Sequence, residues 1–100
     1  MIDLNKIAQE TYGTAIKRGK IGETKYDVVR HYETCSSIRE EMTELSLSDE
    51  KRESSHIKGY TETEEELVDI LISCLTELRR RDTDVEAILL AKVDFNKTRV

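Results

Sequence analysis

The sequence predicts an all-α fold, a four-helix bundle-like arrangement that is completed by oligomerisation. The chain of 100 residues contains no proline, and all four glycines precede residue 60, so helices in its second half meet no breaker. Apolar residues recur three and four positions apart, and no alternating strand pattern competes with them. The hydrophobic fraction of 37% is lean for so short a chain, which leaves much of its surface in water. Burial against further copies would compensate for that deficit.

The first two helices follow from apolar spacing and from the glycines. The first is predicted over about Leu4 to Arg18, and Gly19 and Gly22 end it. The second is predicted over about Tyr26 to Leu47, along a stripe of apolar residues. The segment from Ser48 to Thr61 is rich in serine and charge, which predicts a loop.

The third helix is predicted to begin near Thr63. Thr63 and Glu66 fit a capping box, in which each side chain bonds the other residue's backbone N–H, and Thr61 and Glu64 fit it as well. The apolar arc that follows is wide, which predicts a central position for this helix among the others.

A fourth helix is predicted after the polar break at residues 82–84. Thr83 and Glu86 fit another capping box at its start. The preceding run Arg79–Arg81 is interpreted as a cationic end of the third helix, where positive charge complements the helix dipole. The length of 100 residues predicts one domain over residues 1–100, and the short link between the last two helices predicts a bundle.

Charge and cysteine usage limit the partners. A net charge of −5 disfavours binding to nucleic acid and to anionic membranes, and no apolar stretch suits a bilayer. Cys35 and Cys74 are far apart, and with His31 and His56 they form no zinc-binding spacing. We therefore expect a cytoplasmic protein with two reduced, buried thiols.

The acidic residues of the second and third helices are the candidate functional groups. Glu41 and Glu44 are three residues apart and share a helix face, as do Glu66 and Asp69. If these faces oppose each other, four carboxylates converge, and a hard divalent cation relieves their repulsion. The alternative is that they are ordinary solvated helix faces, since the chain holds 21 acidic residues.

These residues also carry a resemblance to a known family. The pattern EExxE at residues 40–44, followed by ExxD at 66–69, resembles the MazG-like nucleotide pyrophosphohydrolases. Residues 65–70 are similar to the family's EELADV, residues 84–88 to DLEEAI, and residues 92–99 to KMEYNKTR, as in its compact, phage-associated branch. The resemblance covers about half of the chain, from Thr63 to Arg99 and around Ile38 to Leu45.

The resemblance implies an all-α enzyme in which helix carboxylates hold Mg²⁺, with Mn²⁺ as a substitute. It assigns Glu41, Glu44, Glu66 and Asp69 as the metal ligands and catalytic residues. The implied reaction hydrolyses a nucleoside triphosphate to its monophosphate and pyrophosphate, in nucleotide-pool house-cleaning. It also implies a homodimer or homotetramer. Glu40 is a weaker candidate for a base or for a residue that supports a ligand, and a solvated glutamate is an equal alternative.

A second group of residues matches the family's C-terminal pattern. Lys92, Asn96 and Arg99 lie at i, i+4 and i+7, hence on one helix face. With the resemblance, we interpret them as donors to triphosphate oxygens. The alternative is a polar helix end whose cations complement the helix dipole.

The sequence departs from the family where aromatic residues often follow the first helix. Lys20 and Ile21 stand there, which leaves Tyr12, Tyr32 and Tyr60 as candidates to stack on a base. The chain carries neither a glycine-rich phosphate loop nor the elbow of a serine hydrolase. The remaining rival is a non-catalytic helical oligomeric interaction module, or a family member that has lost its activity.

Overall fold

The computed structural model describes residues 1–22 and 27–99, and in this part of the chain the fold is all-α with four helices. An isolated bridge between Glu53 and Thr61 is the nearest approach to a strand among the described residues. The four helices are α1 (Leu4–Lys17), α2 (Asp27–Leu47), α3 (Glu62–Arg80) and α4 (Val85–Lys97). The predicted all-α class and the four helices are confirmed for the described residues, whereas the predicted start of α2 at Tyr26 lies outside them.

The chain divides into two compact units. One comprises Met1–Glu23 and Leu75–Val100, and the other comprises Thr24–Cys74, so α3 contributes to both. None of the helices in residues 1–22 and 27–99 is long and apolar enough to cross a bilayer. The single domain over residues 1–100 stays a prediction.

In the first unit, α1 packs against α4 around a small apolar core. Ala8, Leu75 and Val85 are buried there, and the half-buried Leu4, Ile7 and Leu78 pack against them. The Asn5 side chain links the two helices at their N-terminal ends. Its Nδ2 donates to the Asp84 carboxylate at 3.1 Å, and its Oδ1 accepts from the Val85 backbone N–H at 2.8 Å.

Two helices end through residues in the left-handed backbone region. After α1, Gly19 has φ of 72°, and the N–H of Lys20 bonds the carbonyl of Ala15 at 3.0 Å, as in a Schellman motif. The glycine predicted to end this helix therefore does so. After α3, Asp82 takes the same role with φ of 58°, although it is not glycine.

The predicted cap of α4 is wrong by one residue. The N-cap is Asp84, whose carboxylate accepts from the backbone N–H of Ala87 at 3.1 Å. Thr83 instead belongs to the end of α3, because its N–H bonds the carbonyl of Leu78 at 3.0 Å. Glu86, the other member of the predicted capping box, accepts from the N–H of Leu4 at 3.4 Å.

In the second unit, α2 and the first part of α3 run antiparallel. The hydroxyls of Ser37 and Ser73 are 3.3 Å apart near one end, and those of Ser48 and Thr63 are 2.8 Å apart near the other. Residues later in α2 therefore lie opposite residues earlier in α3. This register brings the acidic stretches of the two helices together.

The capping box of α3 is the one formed by Thr61 and Glu64. The Thr61 hydroxyl accepts from the N–H of Glu64 at 3.1 Å, and the Glu64 carboxylate accepts from the N–H of Thr61 at 2.9 Å. The hydroxyl of Thr63 is bonded to Ser48 instead. The sequence did not decide between the two capping boxes. The contact between Thr63 and Ser48 accounts for why the box of Thr61 and Glu64 forms.

The polar segment between α2 and α3 is a loop, as predicted, and it folds over a buried serine. Ser54 is 5% exposed, and its hydroxyl oxygen accepts from the N–H groups of His56 and Ile57 at 3.0 and 3.1 Å. Its backbone N–H donates to the carbonyl of Tyr60 at 2.7 Å. These bonds fix the approach of the chain to α3.

The N-terminal part of the wide apolar arc of α3 is exposed. Leu67, Val68, Leu71 and Ile72 are exposed, with Leu71 at 54%. Among the described residues, the buried apolar side chains are confined to Ala8 and to the two residues of the first unit that pack on it. These four apolar side chains of α3 are therefore not covered by the described residues.

Candidate metal centre

Three of the four predicted ligands converge where α2 faces α3. Glu44 from α2 lies beside Glu66 and Asp69 from α3, and one carboxylate oxygen of each lies within 4.8 Å of the others. Glu44 is exposed, whereas Glu66 and Asp69 are half-buried. The one-turn spacing of Glu66 and Asp69 places both on the face that the antiparallel register turns toward Glu44.

The Glu66 carboxylate lies in the least favourable position for a negative charge. Burial raises the pKa of Glu66, and the charges of Asp69 and Glu44, together with a hydrogen bond to Glu44, raise it further. Its Oε2 is buried and has no hydrogen-bond partner among the described residues. The carboxylate oxygens of these residues lie close together, and one buried oxygen of Glu66 has no hydrogen bond within the described part of the chain. Both features suit the binding of a divalent cation.

The fourth predicted ligand, Glu41, is held by neighbouring serines. It lies one turn before Glu44 on α2 and is 9% exposed. Its Oε1 accepts a hydrogen bond from the Ser37 hydroxyl at 3.4 Å and another from the Ser73 hydroxyl. Its negative charge is the second cause, after burial, that raises the pKa of the Cys74 thiol. Glu41 is thus next to the three-carboxylate group but is not part of it.

Glu65, which neighbours the proposed ligand Glu66 in sequence, points to the loop instead. It accepts a hydrogen bond from the Ser54 hydroxyl, and its Oε2 is 2.8 Å from Nδ1 of His56. The bond to Glu65 and its charge raise the pKa of His56, while the bonds from Ser54 and His56 lower the pKa of Glu65. Helical spacing gave no sign of this cluster, because Ser54 and His56 reach α3 through the loop's own fold.

The predicted phosphate-binding residues lie at the C-terminal end of α4, in the first unit. Lys92, Asn96 and Arg99 are all exposed. The Lys92 ammonium lies 4.8 Å from the centroid of the Phe95 ring, and the Arg99 guanidinium lies 5.9 Å from it. Arg99 follows the helix, which ends at Lys97. Two cations thus flank one exposed aromatic ring.

The arginine run at the end of α3 is more than a solvated basic patch. Arg80 is 1% exposed and donates to the carbonyl of Gly22 at 2.9 Å. Arg81 pairs with the buried Glu77 at 2.5 Å, and Arg79 pairs with Asp82 at 2.9 Å. Basic residues do end the helix as predicted, but the burial of Arg80 could not be read from the sequence.

The remaining candidates are dispersed. The Arg79 guanidinium lies 5.9 Å from the centroid of the Tyr12 ring, while Tyr32 and Tyr60 are exposed by 68% and 56%. Glu40 is exposed on α2. The two cysteines are free thiols as expected, although each is half-buried rather than fully buried.

Comparisons of this chain with protein-family models, with curated proteins and with solved structures gave no match. What the site can do follows from its own chemistry. The Glu44–Glu66–Asp69 group offers carboxylate oxygens only, the donor type that Mg²⁺, Mn²⁺ and Ca²⁺ prefer. It offers no thiolate or imidazole that would favour zinc.

Proposed function

We propose that this protein is a magnesium-dependent nucleoside triphosphate pyrophosphohydrolase of the MazG-like type. The observation that carries the proposal is the convergence of Glu44, Glu66 and Asp69 at the α2–α3 pair. These residues are three of the four to which the sequence resemblance gives the role of metal ligands. The convergence supports the proposal because it arises from the packing of α2 against α3. Helical spacing alone places residues on one face of one helix and does not bring two helices together.

The three carboxylates fit a hard divalent cation. Their mutual repulsion and the unsatisfied oxygen of Glu66 both disfavour the empty arrangement and favour an arrangement with a bound cation. In the proposal Glu44, Glu66 and Asp69 hold Mg²⁺, with Glu41 as the fourth carboxylate on the neighbouring turn. When bound, the cation would neutralise phosphate charge and lower the pKa of a bound water.

The proposed reaction cleaves the bond between the α- and β-phosphates of a nucleoside triphosphate. The oxygen of a water molecule bonds to the α-phosphorus and a proton of that water passes to solvent. The bond from the α-phosphorus to the bridging oxygen breaks, its electron pair leaves with pyrophosphate, and the other product is a nucleoside monophosphate. Lys92, Asn96 and Arg99 provide ammonium, amide and guanidinium donors of the kind that bind phosphate oxygens. Following the resemblance, which alone supports this role, we assign them to substrate binding, and we assign the reaction to nucleotide-pool house-cleaning in the cytoplasm.

The exposed apolar surface supports a homo-oligomer. Leu67, Val68, Leu71 and Ile72 expose one side of α3, and Ile88, Leu89 and Leu90 are exposed on α4. A group of exposed apolar residues along one helix of a small chain marks a contact surface. We propose that a second copy covers the apolar side of α3, in a dimer or a tetramer. This surface equally favours the rival function, a helical interaction module without turnover.

Pyrophosphate release separates the two functions. We would incubate the protein with canonical nucleoside triphosphates, with deoxyuridine and deoxycytidine triphosphates, and with modified ones, each with Mg²⁺ and with EDTA. The proposal expects release of equal amounts of pyrophosphate and monophosphate that depends on Mg²⁺. Glu44→Gln and Asp69→Asn should abolish it while far-UV circular dichroism stays unchanged, and Glu10→Gln, an exposed α1 residue, should have no effect. A folded wild-type protein that releases nothing from any substrate would support the interaction module.

The oligomer has its own test. Leu71→Glu introduces a charge on the exposed face of α3, where Leu71 is 54% exposed. A single copy tolerates this change, whereas an interface that buries Leu71 does not. Light scattering coupled to size-exclusion chromatography should therefore show a dimer or tetramer for the wild type and a smaller species for the variant. A wild-type monomer would refute the oligomer without affecting the proposed reaction.

A further inference from the structure

We propose that the hydroxyls of Ser37 and Ser73 are positioning groups for the cation site, because they hold the Glu41 carboxylate by one oxygen and leave the other for the cation. This inference rests on the proposed function, which supplies the cation. Neither serine belongs to the acidic pattern that the sequence singled out. Their role follows from the packing of α2 on α3.

The side chains between α2 and α3 form two successive layers along the antiparallel helix pair. In one layer Glu44 meets Glu66 and Asp69. In the next layer Glu41 meets Ser73, which lies one turn after Asp69 on α3. The Ser37 hydroxyl joins the second layer, 3.4 Å from Glu41 Oε1 and 3.3 Å from the Ser73 hydroxyl. The serine layer therefore borders directly on the three-carboxylate layer.

Both serine hydroxyls bond the same oxygen of Glu41. The hydrogen bonds of the described residues reach Oε1, and none of them reaches Oε2. Glu41 is 9% exposed, so little water reaches this side chain to compete with the two donors for Oε1. A side chain held in this way keeps one orientation, and it loses little further conformational entropy when a cation binds.

The serines act on the cation through Glu41, so their removal should weaken cation binding rather than the fold. Groups that orient metal ligands typically contribute about 10- to 100-fold to metal affinity. We therefore expect Ser73→Ala, and more strongly the Ser37→Ala/Ser73→Ala double variant, to raise the Kd for Mn²⁺ by about 10-fold or more. Ser73→Thr, which keeps the hydroxyl, should restore binding, whereas Ser73→Cys, a weaker donor of similar size, should not.

The experiment titrates Mn²⁺ alone into the full-length protein and counts free Mn²⁺ by electron paramagnetic resonance, without nucleotide. The matched control is Ser46→Ala, an exposed α2 serine whose hydroxyl donates to the carbonyl of Thr43 at 2.7 Å within its own helix. Urea unfolding in EDTA measures the metal-free stability of every variant. That measurement separates a lost positioning group from a damaged fold.

The outcomes separate this inference from the function on which it rests. Weakened Mn²⁺ binding in Ser73→Ala, with rescue by Ser73→Thr and no change in Ser46→Ala, supports the positioning role. Wild-type affinity in the alanine variants overturns it and leaves the proposed cation site standing. Weakened binding that threonine does not rescue also overturns it, because a packing defect would then be the cause. A wild-type protein that binds no Mn²⁺ overturns both this inference and the proposed function.

Discussion

Glu66→Gln should stabilise the metal-free protein and at the same time destroy its response to Mg²⁺. Glutamine keeps the size of the side chain and removes the charge that crowds against Glu44 and Asp69. Most changes to a half-buried helix residue are neutral or destabilising. A gain in stability would therefore be specific evidence that the three carboxylates repel one another in the absence of a cation.

The magnitude follows from the separation of the charges. At 4.8 Å, the upper limit of the distances between the facing oxygens, two unit charges repel by about 0.9 kcal/mol in water and by about 3.5 kcal/mol at an effective dielectric constant of about 20. Glu44 is exposed and Asp69 is half-buried, so the lower value is the closer guide for each pair. Removing the repulsion from both partners should raise the free energy of unfolding by about 1–2 kcal/mol.

The assay is urea unfolding of the wild type and of Glu66→Gln at pH 8 and at pH 4, in EDTA and in saturating Mg²⁺. Because the folded pKa of Glu66 is raised, its neutral form favours folding at low pH, and that contribution is lost as the pH rises through the folded pKa. The advantage of glutamine should therefore be full at pH 8 and small at pH 4. At 100 times the Kd, Mg²⁺ should stabilise the wild type by about 2.7 kcal/mol and leave the variant unchanged.

One control variant and two possible results test this prediction. Glu10→Gln removes the same charge from an exposed position on α1 and should change the free energy of unfolding by less than about 0.5 kcal/mol. If Glu66→Gln were less stable than the wild type in EDTA at pH 8, the carboxylates would not repel as argued. If Mg²⁺ stabilised the variant as much as the wild type, Glu66 would not be a ligand.

Three further changes test parts of the structure outside the cation site, each by urea unfolding. Leu75→Ala should cost about 2–5 kcal/mol because Leu75 is buried in the small core of the first unit, and a loss below about 1 kcal/mol would contradict that core. Asp84→Ala should cost about 1 kcal/mol, since it removes both the cap of α4 and the bond to Asn5, whereas equal stability would contradict the assigned cap. His56→Ala should lower stability only in a pH window. The pair with Glu65 contributes fully below the ordinary His56 pKa of 6.5 and is lost as the pH rises through the raised folded pKa, and it is also lost in acid as Glu65 takes up a proton. A difference that stayed constant from about pH 6 to about pH 9 would contradict the ion pair.

The sequence by itself determined the helices and which carboxylates are candidates for the site. Absence of proline and three- to four-residue apolar spacing are local properties. They were sufficient to predict four helices, to place the end of α1 and the start of α3 within one residue, and to place the end of α2 at Leu47. Glu44, Glu66 and Asp69 were also identified from local spacing, because residues three apart on a helix must share a face. The stop at Gly19 was predictable for the same reason, since it depends on the backbone freedom of one residue.

Only the tertiary structure decided which side chains meet. The antiparallel register of α2 and α3 brings Glu44 to Glu66 and Asp69 but gives Glu41 to Ser37 and Ser73. Local spacing treats Glu41 and Glu44 alike, so it could not separate their roles. The caps at Thr61 and Asp84 were likewise settled by distant contacts, with Ser48 bonding Thr63 and Asn5 bonding Asp84. These contacts join residues far apart in the chain, and their geometry exists only once the helices pack.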